Sequence, residues 1–181
     1  MKNVIIFTVL FMVAASPLWP MDVCPEGMQA VLVLKIIPFV RNFEKLMAQD
    51  TVNIGVYNAP EVYRFLDTAS KKVVFKTNFI QVSDSDPKLD NLNIIYIPRG
   101  CSAAVVEKLN RLAKKGSILT VFGDPQGTLD SNLTLSFYVV EDKPKILINM
   151  KSAKEEGIVF SSRVLTLADV RNMEKSPVPT L

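Results

Sequence analysis

The chain contains no histidine and only two cysteines, Cys24 and Cys101, among its 181 residues. Without histidine there is no Ser–His or Cys–His nucleophilic pair, no imidazole acid–base catalyst and no imidazole metal ligand. Two cysteines alone do not build a zinc site. Glycine is sparse, with seven residues, and forms neither of the common Gly-rich phosphate loops. A dominant charge is missing as well. The net charge is +3 and the basic residues are scattered, whereas nucleic-acid binders concentrate them on one stripe beside aromatics. A nucleic-acid partner is therefore not expected.

Carboxylate, lysine and serine remain as catalytic material. Asp84, Asp86 and Asp90 cluster but lack the glycine and the closing glutamate of a calcium loop, so they read as a solvated loop. Ser161 or Ser162 could pair with a lysine, but no spacing recommends it. Gly123-Asp124-Pro125-Gln126-Gly127 follows a strand as a phosphate cradle would. Its proline and borders fit a turn better, with no helix start expected behind it. Enzyme is accordingly the minor reading, and neither a cofactor nor a metal is implied.

What is present describes one exported domain. Apolar residues make up 49% of the chain and charged residues 22%, which is the balance of a folded protein with its own core. Lys2 precedes Val4–Ala15, twelve residues without a charge, followed by small residues. That run is shorter than the about 20 residues that span a bilayer. It reads as a signal peptide over residues 1–15, with an uncleaved anchor as the alternative. The domain then covers residues 24–172, and 173–181 form a loose tail with prolines at 177 and 179.

Within the domain, an apolar segment from Pro25 to about Met47 predicts a buried helix, broken near Pro38. Residues 52–57 predict a strand, and 61–68 a helix with Val62, Phe65 and Leu66 on its inner face. Strands are expected over 73–82, 93–97 and 118–122, with an amphipathic helix over 102–115 closed by Gly116. Residues 133–140 and 145–150 predict an antiparallel pair around the turn Glu141-Asp142-Lys143-Pro144. A short helix over 152–156 ends at Gly157, and a last amphipathic segment lies near 165–170. The fold class is α/β: one domain, a mixed but mostly parallel sheet with flanking helices in Rossmann- or flavodoxin-like layering, and a C-terminal β-hairpin.

This topology places both Cys24 and Cys101 at the carboxyl edge of the sheet. A Cys24–Cys101 disulfide is one reading, and two separate buried thiols the other. The same edge is where α/β sheets hold ligands, and Tyr57, Asn58, Arg99, Gly123 and Asp124 would line a crevice there.

The last third carries a recognisable pattern. Lys145–Met150 closes on Ile148-Asn149, followed by Ser152-Ala153-Lys154, Gly157, and Phe160-Ser161-Ser162-Arg163-Val164-Leu165-Thr166-Leu167-Ala168. This resembles the close of the YfiR/HmsC family of periplasmic proteins, with looser agreement upstream. Relatives carry cysteines where this chain has Ile54 and Leu92-Asn93, so no family disulfide transfers. The resemblance implies a periplasmic repressor that binds the sensor part of an inner-membrane diguanylate cyclase and lowers cyclic-di-GMP and biofilm output. A homodimer is left open. It marks Asn149, Gly157, Ser161, Ser162 and Arg163 as family positions. Those serines and Arg163 face a partner in one reading. In the other they form a joint, with the hydroxyls capping the last helix and Arg163 paired to a carboxylate.

Overall fold

The computed structural model describes residues 22–43, 51–83 and 89–173. The signal segment, Asp84, Asp86 and the tail beyond Met173 lie outside the described residues. Eight strands form one sheet: β1 (Asp22–Val23), β2 (Val52–Tyr57), β3 (Thr77–Val82), β4 (Ile94–Ile97), β5 (Leu119–Phe122), β6 (Leu135–Val140), β7 (Lys143–Asn149) and β8 (Asp169–Arg171). Their order is β3-β2-β4-β5-β6-β7-β8, with β1 paired to β6. Neighbours from β3 to β6 are parallel, β6 and β7 are antiparallel, and β7 and β8 are parallel. The expected α/β class with a mixed, mostly parallel sheet and a C-terminal hairpin is what the chain adopts.

Helices α1 (Glu26–Ile36), α2 (Pro60–Ser70), α3 (Ala103–Gly116), α4 (Pro125–Asp130), α5 (Met150–Glu155) and α6 (Ser162–Leu165) cover the two faces. The period-two alternation of the strands divides the core. Ile94 and Tyr96 pack with α1, α2, α5 and α6, together with Val33, Leu66, Ala153 and Val164. Ile95 and Ile97 turn the other way, onto Val106 and Leu109 of α3. The central strands are buried on both sides, as βαβ crossovers require.

The first helix breaks near Pro38 as expected: it stops at Ile36 and gives way to 3-10 turns over Ile37–Phe39 and Arg41–Phe43, because Pro38 cannot continue the α-helical ladder. Several local expectations need correction. The third strand begins at Thr77, not at residue 73. Gly116 lies within α3; Ser117 takes the left-handed cap at φ 54° and its N–H reaches the Ala113 carbonyl. The hairpin turn is tighter than expected. Glu141 and Asp142 both have positive φ, 50° and 58°, and Val140 pairs directly with Lys143. That is the two-residue geometry whose twist suits a hairpin. Short strands β1 and β8 were not anticipated, since two or three residues carry no readable period.

Candidate functional site

Consecutive connections from β2 and β4 leave on opposite faces: α2 joins the α1 layer, while α3 lies on the other side. The carboxyl ends of β2 and β4 therefore flank a topological switch point, the usual ligand position in open α/β sheets. Tyr57, Asn58, Pro98, Arg99, Cys101 and Ser102 line a cavity of about 350 Å³ there. Asn58 (φ 40°) and Gly100 (φ 88°) turn the chain through left-handed conformations just past the ends of β2 and β4. Ser102 caps α3 by accepting from the Val105 N–H at 3.4 Å.

Of the residues expected in this crevice, Tyr57, Asn58 and Arg99 line it together. Gly123 and Asp124 do not line it. A Cβ on Gly123 would stand 2.9 Å from the Arg99 backbone nitrogen and 3.0 Å from the Tyr96 hydroxyl, so Gly123 is the spacer that lets the crevice wall approach. Asp124 turns into its own helix. Its carboxylate accepts from the N–H groups of Gln126 at 3.1 Å and Gly127 at 3.2 Å, at the start of α4. A helix does follow this glycine-containing segment, contrary to the turn expected, and its free N–H groups are already taken by Asp124.

A buried polar chain that sequence reasoning missed runs beside this edge. The Tyr96 hydroxyl donates to Gln29 Oε1 at 2.9 Å, and Gln29 Nε2 donates to the Cys24 carbonyl at 2.6 Å. Burial raises the Tyr96 phenol pKa, assisted by the Glu26 carboxylate and by the thiols of Cys24 and Cys101. Cys24 and Cys101 are not joined by a disulfide here, and burial pushes the Cys24 thiol up. The one available signal was Gln29 itself, a lone amide inside an apolar helix.

The C-terminal motif forms a joint. Asn149, fully buried, accepts from the Ser152 N–H at 3.5 Å and from Asn172 Nδ2 at 3.1 Å, and donates to Asn132 Oδ1 at 3.3 Å. Gly157 turns the chain at φ 70°. Ser161 N donates to the Phe39 carbonyl at 2.8 Å, and Arg41 N to the Val159 carbonyl at 2.8 Å, fastening the motif to the segment after α1. Ser161 sits at the N-cap of α6, yet its hydroxyl makes no capping bond. Ser162 is exposed, and Arg163 lies 5.8 Å over the Phe39 ring, with no carboxylate against it among the described residues. Deeper in the same joint is Glu156, which is fully buried. Its carboxylate accepts from Thr120 N at 3.1 Å, Thr120 Oγ1 at 2.6 Å and Ser152 Oγ at 3.2 Å. Burial outweighs these bonds and pushes its pKa up to about 7.

A third feature lies on the outer surface of the α1 layer. The all-round apolar helix expected to be buried leaves Met28 and Val31 each 38% exposed, and Phe65, expected on the inner face of α2, is 45% exposed. Gly27 lies against the Phe65 ring, at 3.4 Å from an added Cβ. Val31, Phe65 and Val73, with Lys35 and Lys72, line a groove of about 490 Å³ between the two helices.

The described residues thus form a layered α/β domain with a crevice at its switch point and an exposed apolar strip on one helical face. The chain belongs to the YfiR/HmsC-like family, whose model matches residues 26–169, from the start of α1 into β8. At family level these are periplasmic regulators of cyclic-di-GMP signalling. The fold is also similar to a conserved domain protein from Vibrio cholerae O1 biovar El Tor str. N16961, with 15% identity and a TM-score of 0.57. That similarity covers 82% of this chain, and the chain spans 60% of that protein. No curated protein matches. Among the described residues no helix is long and apolar enough to cross a membrane.

Proposed function

We propose that this protein is exported through residues 1–15 and acts without catalysis, binding the periplasmic sensor part of an inner-membrane diguanylate cyclase and holding it inactive. Lower cyclic-di-GMP and less biofilm follow. The observation that carries this reading is the family match, which spans the complete layered domain over residues 26–169. The groove between α1 and α2 supports it, because an exposed apolar surface on a folded domain marks a contact site. The test is co-purification of the exported protein with candidate sensor domains, read alongside cellular cyclic-di-GMP. A bound cyclase that regains activity on deletion of this gene supports repression. No bound sensor domain and unchanged cyclic-di-GMP refute it.

A second reading rests on the crevice at the switch point, where Tyr57, Asn58 and Arg99 converge around about 350 Å³. In this reading a small polar ligand binds there and tunes the protein contact. Arg99→Ala would then abolish ligand-dependent shifts in thermal stability while leaving the ligand-free fold intact. The Cys24–Cys101 bond belongs here too. The expectation rests on both cysteines lying toward the carboxyl edge of the sheet, Cys101 lining the crevice there, and on an oxidising compartment that favours pairing. Thiol titration of the unreduced, unfolded protein would find none free if the bond forms and two if it does not.

A further inference from the structure

The groove between α1 and α2 has a chemistry of its own. Its floor is apolar, from Val31 and Leu34 of α1, Phe65 and Ala69 of α2, and Val73. Its rim carries Lys35 and Lys72, and among the described residues no carboxylate lines it. Nearby carboxylates are engaged elsewhere: Glu61 with Arg64, and Asp67 with Lys71 at 4.0 Å. Lys35 stands in the last turn of α1, and Lys72 follows α2 by two residues. Each helix has 11 residues, which gives a trough about 16 Å long.

We propose that this groove is the docking site for an acidic amphipathic helix of a protein partner, about three turns long, with apolar residues at i, i+3, i+4 and i+7 and carboxylates set to meet Lys35 and Lys72. Such a helix seats its apolar face in the groove between two helices and satisfies the cationic rim at the same time. The alternatives fit less well. A second copy presents the same cations and another concavity, so charges repel and no ridge fills the groove. A bilayer is planar and meets protruding side chains, not a recess. The leader of this chain, residues 1–21, contains no Asp or Glu to meet the lysines. The inference names the contact surface for the regulator reading above and rests on it only in taking the partner to be a protein.

Two synthetic helices of about 18 residues, one built from Leu and Glu and its counterpart from Leu and Lys, test this by fluorescence anisotropy against the purified full chain. The Leu/Glu peptide is expected to bind, and the Leu/Lys peptide not. Val31→Asp should weaken binding about tenfold or more, since a carboxylate would be buried against an apolar face. The double variant Lys35→Glu/Lys72→Glu should reverse the preference between the two peptides. All three positions are exposed, and unchanged circular dichroism and thermal midpoint confirm folding; Phe65→Ser serves as a second probe if Val31→Asp does not fold. Equal binding of both peptides, or a preference that survives charge reversal, overturns the proposal. So does a dimer in sedimentation, or adsorption to phosphatidylglycerol vesicles, that Val31→Asp abolishes. The regulator reading fails separately, if no sensor domain binds the wild-type chain while the peptide preference holds.

Discussion

Glu156 turns the stability of this fold into a function of pH, and Glu156→Gln isolates the effect. The carboxyl group is fully buried and its pKa stands near 7, against an ordinary 4.5. Between those two values the folded chain keeps a proton that the unfolded chain has lost, so stability falls as pH rises. The contribution is complete below about pH 4.5 and lost above about pH 7. A tenfold change in proton affinity corresponds to about 1.4 kcal/mol, so ionising Glu156 costs the folded state about 3 kcal/mol. Glutamine mimics the neutral acid in shape and removes this titration. Urea unfolding followed by circular dichroism at pH 5 and pH 8 should therefore show the variant gaining about 2.5 kcal/mol on wild type between the two conditions, since a small part of the cost is already present at pH 5. In thermal melts the same gain appears as about 5–10 °C for a domain of this size. The glutamine amide cannot accept from both Thr120 N and Thr120 Oγ1, but that cost is the same at both pH values and cancels. Parallel pH profiles for the two proteins would refute the burial argument.

Three further perturbations probe the arrangement. Gln29→Leu leaves the Tyr96 hydroxyl and the Cys24 carbonyl without their buried partner and should cost about 1–3 kcal/mol in urea unfolding; an unchanged midpoint would mean that neither group needs it. Gly123→Ala sets a methyl 2.9 Å from the Arg99 backbone nitrogen, where no flexible side chain can yield. It should destabilise by about 1–3 kcal/mol and shift the amide resonances of residues 99–102, and a silent spectrum would contradict the close packing. Lys114→Ala breaks the 2.6 Å pair with Glu155, which holds that carboxyl below its usual range. Both partners are partly exposed, so the loss should stay below about 1 kcal/mol and shrink further in 0.5 M salt.

The near-continuous apolar runs in 94–97 and 119–122 made the central strands legible, because strands buried on both sides read that way. Helix α3 was equally plain, since its polar and apolar residues separate at helical spacing. The crevice followed from chain order alone, as Tyr57, Asn58 and Arg99 each close a parallel strand. What stayed hidden depends on contacts remote in sequence. Glu156 is the second of two adjacent glutamates, and nothing local separates it from Glu155, which pairs with Lys114 at the surface. Only the placement of β5 opposite the end of α5 buries one and leaves the other wet. Phe65 misled for a related reason. Its spacing matches Val62 and Leu66, but α1 packs so closely at Gly27 that the ring is held at the rim instead of the core.

The two faces of the sheet finish differently at their outer surfaces, and folding energetics do not account for the difference. The outward side of α3 carries Glu107, Lys108, Arg111 and Lys115, all exposed, as a helix bordering water does. On the opposite face, α1 presents Met28 and Val31, and α2 presents Phe65. Apolar area left in water contributes nothing to the stability of the isolated domain, because the hydrophobic gain comes only when that area is covered. Charged residues at positions 28, 31 and 65 would keep the same helices and improve solubility. On the docking proposal, the gain from the apolar choice arises on association, and it is largest where Val31 and Phe65 are removed from water together. On the same proposal Lys35 and Lys72 have a second role, since like charges on the rim oppose pairing of the groove with a second copy of itself.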